Sequence, residues 1–303
     1  MLKGLHPYAG VAYTDDSNLL RLSDSVPGAK SDNFTTLEAG IDSRFDVSQQ
    51  RFLIDGRIYR NLYDRFDQYD HTGGDARLLW QWAHGKLWEG DLGYTYSRKL
   101  RDFSNQSNLD ADGQPSIRLP PRDLIDRHRV RASANRWITT RWRAGGLVDW
   151  ADISSSESAQ LDKRLTGGGV VVDWVSESGN TVGFETLYRD ADFKTARAAD
   201  YEDWYSGLNA RWDLSSKTFL SARGGYQDRN YDAFTAGNFD GFVGDLAATW
   251  RPTVKTTIVA SVSRDISNLQ DEIANYAVID AVGLEPSWSI TEKTALRGWA
   301  RYE

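Results

Sequence analysis

Arg127, Arg129 and Arg131 recur at every second position of one segment, so an extended chain carries all three guanidinium groups on one face. Arg stays charged at every physiological pH and presents a rigid fork of donors that matches carboxylates and phosphates. A ladder of such forks is a track for an anionic polymer or solute. Arg57, Arg77, Arg143, Arg189, Arg211, Arg223 and Arg229 fall on the polar face of their own segments, together with Glu89 and Asp91. Those carboxylates open a second reading, in which acidic and basic side chains pair across strands and stiffen a wall. Tyr59, Tyr63, Tyr205 and Trp299 share that face. Aromatic rings beside polar groups suit the CH faces of sugars, and they also simply fill space.

Covalent chemistry finds little support. His6, His71, His84 and His128 are scattered, and hydrolysis through an activated serine needs a histidine and a third, orienting group around the nucleophile. No catalytic residue is expected. Asp64, Asp67 and Asp70 precede His71 in an acidic loop whose oxygens could hold a divalent cation, but acidic loops are ordinary on outer surfaces, and no metal site is assigned. No phosphate-binding loop, dinucleotide fingerprint or zinc spacing occurs, and no cofactor is expected. A net charge of −7 argues against nucleic acid as a partner.

The elements that must carry this face read as β-strands. In Trp88-Glu89-Gly90-Asp91-Leu92-Gly93-Tyr94-Thr95-Tyr96-Ser97 every even residue is apolar, aromatic or Gly and every odd one is polar or Gly. Such a strand has one apolar and one wet face. The pattern predicts about fifteen strands, over 5–15, 33–46, 50–64, 74–84, 87–104, 124–137, 140–153, 163–176, 180–192, 202–214, 217–230, 240–251, 255–266, 276–289 and 293–303. Short turns and long loops alternate strictly between them. In bacterial outer-membrane barrels the short turns face the periplasm, which puts the start of the first strand, and so the N-terminus, on the periplasmic side.

Composition agrees. There are 12 Trp, 14 Tyr, 11 Phe and 26 Gly among 303 residues, and no Cys. Mean hydropathy is −0.57, which excludes a helical membrane protein. Aromatics gather beside the short turns: Trp82, Trp88, Trp137, Trp142, Trp174, Trp212, Trp250 and Trp288, with Phe45, Phe52 and Phe219, read as a periplasmic girdle at the lipid interface. The fold class is therefore all-β, a single transmembrane antiparallel up-and-down β-barrel over 1–303. The odd count and a final segment without a terminal aromatic suggest a chain cut short at its C-terminus. Met1 as the sole methionine suggests an export signal already removed.

The stretch Tyr13-Thr14-Asp15-Asp16-Ser17-Asn18-Leu19-Leu20-Arg21-Leu22, followed by Ser31-Asp32-Asn33 and then Ser48-Gln49-Gln50-Arg51-Phe52, resembles the EpsL-type outer-membrane proteins of exopolysaccharide biosynthesis clusters. The likeness by motif covers about the first 65 residues, and the rest matches in architecture. The resemblance implies a barrel of roughly 16–18 strands that lets a secreted polysaccharide leave the cell. It implies no catalytic residues. Its partners would be outer-membrane lipid and lipopolysaccharide, the exopolysaccharide chain, and periplasmic or inner-membrane export components. The rival readings are a diffusion porin for small anionic solutes, whose constriction loop would be 105–123, and a structural or adhesive barrel acting through its extracellular loops.

Overall fold

The computed structural model describes residues 4–21, 31–101, 103, 121–196, 199–233, 237–268, 276–291 and 294–302. Fourteen long strands run up and down in sequence order: β1 (Leu5–Asp16), β2 (Asp32–Val47), β3 (Gln50–Tyr63), β4 (His71–His84), β5 (Trp88–Leu100), β6 (Leu124–Trp137), β7 (Trp142–Ser155), β8 (Lys163–Val175), β9 (Thr181–Phe193), β10 (Tyr201–Ser215), β11 (Thr218–Tyr231), β12 (Phe239–Thr253), β13 (Thr256–Asn268) and β14 (Tyr276–Ser289). Two short pieces, β15 (Ala295–Arg297) and β16 (Ala300–Tyr302), both pair with β14. They are two halves of one strand, interrupted at Gly298 and Trp299. Every pairing is antiparallel and between neighbours. Among the described residues nothing pairs β1 with β15 or β16, so the sheet is open along those two edges.

The turns explain the sharp reversals on one side. Gly85 and Gly179 adopt φ of 62° and 87° at hairpin bends, a region that costs glycine nothing. Ser48 takes φ 56° in the two-residue turn between β2 and β3.

On the long-loop side a repeated latch replaces the tight turn. The Asp70 carboxylate accepts the Tyr63 amide, Asp162 that of Ser155, Asp200 that of Phe193, and the Asn238 side-chain oxygen that of Tyr231. In each case an Asx residue ends the loop and reaches back seven positions to the last residue of the strand before it. Among the described residues, 3-10 turns lie in these loops at Asp67–Tyr69 and Ala159–Leu161. Leu19, Leu20, Tyr63, Phe66, Tyr69 and Phe103 pack together at this end. Burial there lifts the Tyr69 phenol above its usual range.

The sheet curls. One cavity is lined by residues of β6 to β11 and of β13. Seven strand spacings laid flat would hold those strands about 34 Å apart, so they share a cavity only because the sheet bends round to bring them together.

Candidate functional site

Side chains directly opposite each other in an antiparallel ladder point to the same face, so the register sorts the whole wall. One rung runs Arg131, Asp149, Gly167, Arg189, Asp203, Arg229. The next toward the long loops runs Arg129, Ala151, Leu165, Ala191, Tyr201, Tyr231, and above it come Arg127, Ile153, Lys163 and Phe193. These rungs lie on the concave face. The expected track residues Arg57, Arg77, Arg127, Arg129, Arg131, Arg143, Arg189, Arg211, Arg223, Arg229, Glu89, Asp91, Tyr59 and Tyr205 all share it.

Pairing divides them. Arg229 grips Asp203 with two bonds, Nε to Oδ1 at 2.6 Å and Nη2 to Oδ2 at 2.9 Å, and both side chains are only 5% exposed. Arg129 donates to Asp149 at 2.7 Å, Arg223 to Glu185, and Arg57 to both Glu38 and Asp75. Arg143 bridges Asp173 and Glu89. For these residues the strut reading holds. Arg77, Arg127, Arg131, Arg189 and Arg211 form no ion pair with any described carboxylate. The ladder is thus split: Arg129 is a strut, and Arg127 and Arg131 keep their charge available.

The aromatics are already occupied. The Arg223 guanidinium lies 4.1 Å above the Tyr205 ring, and the Arg57 guanidinium 5.0 Å from that of Tyr59. The far ends of the two rings lie over Gly207 and Gly73, whose missing Cβ atoms leave the space they fill. Ring, guanidinium and bare backbone form a layered wall, and neither ring offers a free platform for a sugar. Tyr63 packs in the loop-side cluster. Trp299 sits in the break between β15 and β16, 82% exposed.

The opposite face is apolar over a band and charged beyond it. Along β7 the outward residues from Trp142 to Trp150 are Trp142, Ala144, Gly146, Val148 and Trp150, followed by Asp152. Nine residues is the length a tilted strand needs to cross a bilayer. Neighbouring strands also carry charge on the outward face toward the long loops, at Arg164, Asp190, Glu202, Asp228 and Asp240. At the short-turn side, Trp82, Trp88, Trp142, Trp174, Trp212, Trp250 and Trp288 lie on the outward face as expected, and the Phe45, Phe52 and Trp80 rings stack in a row. Trp137 does not belong to this girdle. It stands opposite Arg143, faces inward, and takes that guanidinium over its ring at 5.6 Å. Phe219 is also inward, opposite Asp213. Proximity to a turn misassigned both, because only the parity of the strand decides the face.

The histidines examined for chemistry serve the wall. His71 is buried, and its Nδ1 lies 2.9 Å from the Tyr69 carbonyl oxygen. Asp70 is engaged in its latch. His128 faces outward, its Nδ1 2.9 Å from the Tyr94 hydroxyl. The expected constriction loop falls mainly at 104–120, outside the described residues; its end, Arg122, donates to the Asp70 carbonyl. Sequence reasoning passed over Lys163, Asp173 and Asp203 as members of the inward face. Counting by two along β8 from outward-facing Trp174 would have placed Lys163 there.

No family model and no curated protein matches this chain. It is similar to solved structures of the FrpB iron transporter from Neisseria meningitidis (11% identity, 99% of this chain and 54% of that one, TM-score 0.43), CdiB from Acinetobacter baumannii (9%, 96% and 61%, TM-score 0.44) and an OccD1 (OprD) variant (11%, 98% and 88%, TM-score 0.44). The chain spans little more than half the length of the first two. Likeness at this distance says nothing about cargo.

Proposed function

We propose that this sheet, closed along its two free edges, forms the wall of an outer-membrane conduit for anionic cargo, and that the cargo is an exopolysaccharide leaving the cell. The observation that carries the reading is the contrast between the two faces. An apolar band with tryptophans at one edge faces out, and a face with cations lacking counter-ions faces in. Charge-lined lumens concentrate ions of the opposite sign. The resemblance of the first 65 residues to EpsL-type proteins supports a polymer as cargo, and a passive channel would need periplasmic or inner-membrane components to feed it.

A second reading, a porin for small anionic solutes, is favoured by the occupied rings of Tyr59 and Tyr205, since a sugar pathway commonly offers open aromatic platforms. Deleting the gene separates the two. Export predicts loss of extracellular polysaccharide with unchanged small-solute permeability, and the porin predicts the reverse. For either, the purified protein in a planar bilayer should prefer anions, and changing Arg127, Arg131 and Arg189 together to Gln should reduce that preference. An unchanged reversal potential would leave these residues as wall fittings and remove the basis for anionic cargo.

A further inference from the structure

We infer that the concave wall between β6 and β10 holds a binding site for one acidic sugar unit, with Arg127, Lys163 and Arg189 at its rim. The inference rests on the conduit reading and names a specific station along it. The cavity there measures about 430 Å3, within the range of about 300–1,000 Å3 usual for small-molecule sites.

Three chemistries meet in it. The first is charge. Arg127, Lys163 and Arg189 form no ion pair with any described carboxylate. Two of the three acidic side chains lining the cavity are committed, Asp149 to Arg129 and Asp203 to Arg229, and the third, Asp265, stands on β13. The half-buried Lys163 ammonium lies 4.8 Å from the Phe193 ring and 6.0 Å from that of Tyr201, and Arg127 and Arg189 line the same cavity. Like charges held together this way favour an anion that neutralises them.

The second is a small apolar floor. Ala151 and Leu165 lie side by side on one rung between the cationic ones and line the cavity, and Gly167 leaves bare backbone opposite Arg189. A pyranose presents CH groups on its face and polar groups at its edge. It could lie on this floor with a ring carboxylate toward the rim, without a free aromatic platform.

The third is an orphaned hydroxyl. Tyr205 lines the cavity, is 5% exposed, and its hydroxyl has no hydrogen-bond partner among the described residues. The hydroxyl lies over Gly207, so a ligand hydroxyl meets it only when the ring swings off that glycine, and pairing then offsets the about 1–3 kcal/mol that a buried, unpaired hydroxyl costs. Cations, apolar floor and hydroxyl together fit a uronic acid better than a bare inorganic anion, which needs no floor, or a neutral sugar, which needs no cations.

Calorimetric titration of the folded protein in detergent micelles tests this directly, with trigalacturonate as probe and maltotriose as neutral control. Trigalacturonate should bind and maltotriose should not. Lys163→Gln and Arg189→Gln should each weaken binding roughly tenfold, the scale of one charge-assisted contact. Arg264→Gln, on the outward face, should leave it unchanged. Should either rim variant fail to fold, the salt dependence of the unaltered protein decides, since affinity must fall as salt rises. Equal affinity for the two sugars, no binding of either, or salt-independent binding would overturn the site. Conductance in bilayers is scored separately. A conducting protein that ignores trigalacturonate refutes the site alone, and one that binds it without conducting refutes the conduit.

Discussion

Replacing Asp203 by Ala isolates the most deeply held charge in the wall. Arg229 makes two bonds to this carboxylate, at 2.6 and 2.9 Å, and lies 4.1 Å over the Tyr201 ring, with both members of the pair 5% exposed. Each hydrogen bond to a charged group contributes about 1.5–3 kcal/mol, so two set the loss at about 3–6 kcal/mol. Breaking one side of a buried pair costs about 3–5 kcal/mol, because the remaining charge keeps its desolvation without its partner. We expect Asp203→Ala to lose about 3–5 kcal/mol. The double change Asp203→Leu with Arg229→Met should recover most of that, since no charge is then left stranded. Arg264→Gln breaks a pair that is 49% and 66% exposed, and should cost under about 1 kcal/mol. The assay is urea unfolding in lipid vesicles followed by tryptophan fluorescence, read as midpoint shifts at constant slope. If Asp203→Ala loses no more than Arg264→Gln, water reaches Arg229, and the description of a dry, ion-paired wall at this height is wrong.

Two further expectations test the face assignment and the loop latch. Val170 and Val171 are adjacent in β8 but point to opposite faces, Val171 standing opposite Glu185; in bilayers Val170→Arg should cost about 2–4 kcal/mol and Val171→Arg far less, and equal costs would refute the sorting of faces. Asp200→Ala removes the acceptor of the Phe193 amide and should lose about 1–3 kcal/mol while making the 194–199 loop a protease cleavage site; a loop that stays as resistant as before would show the latch to be dispensable.

Much of the wall was legible in the chain itself. Period-2 alternation is a local property, so the strands predicted at 124–137 and 276–289 coincide with β6 and β14, and the other spans agree to within a few residues. Parity is local too, which is why every expected track residue from Arg57 to Arg229 lies on the concave face. Where a nearby turn was used in place of parity, the reading failed, at Trp137 and Phe219. The Asx latches were present as a repeated spacing of seven, but nothing in that spacing says which amide the carboxylate meets.

The alternation of apolar and polar residues by itself determined an up-and-down antiparallel sheet with one lipid-suited face, because a strand's two faces follow from residue order alone. Which arginines are struts and which remain open was decided only by the tertiary structure. Arg129 and Arg131 are the same residue type, two positions apart on one face, and what separates them is the neighbouring strand. Asp149 stands directly opposite Arg131, yet its carboxylate reaches diagonally to Arg129. Charge is written in the sequence, but its neutralisation depends on register and side-chain reach across strands, and those exist only once the sheet has formed.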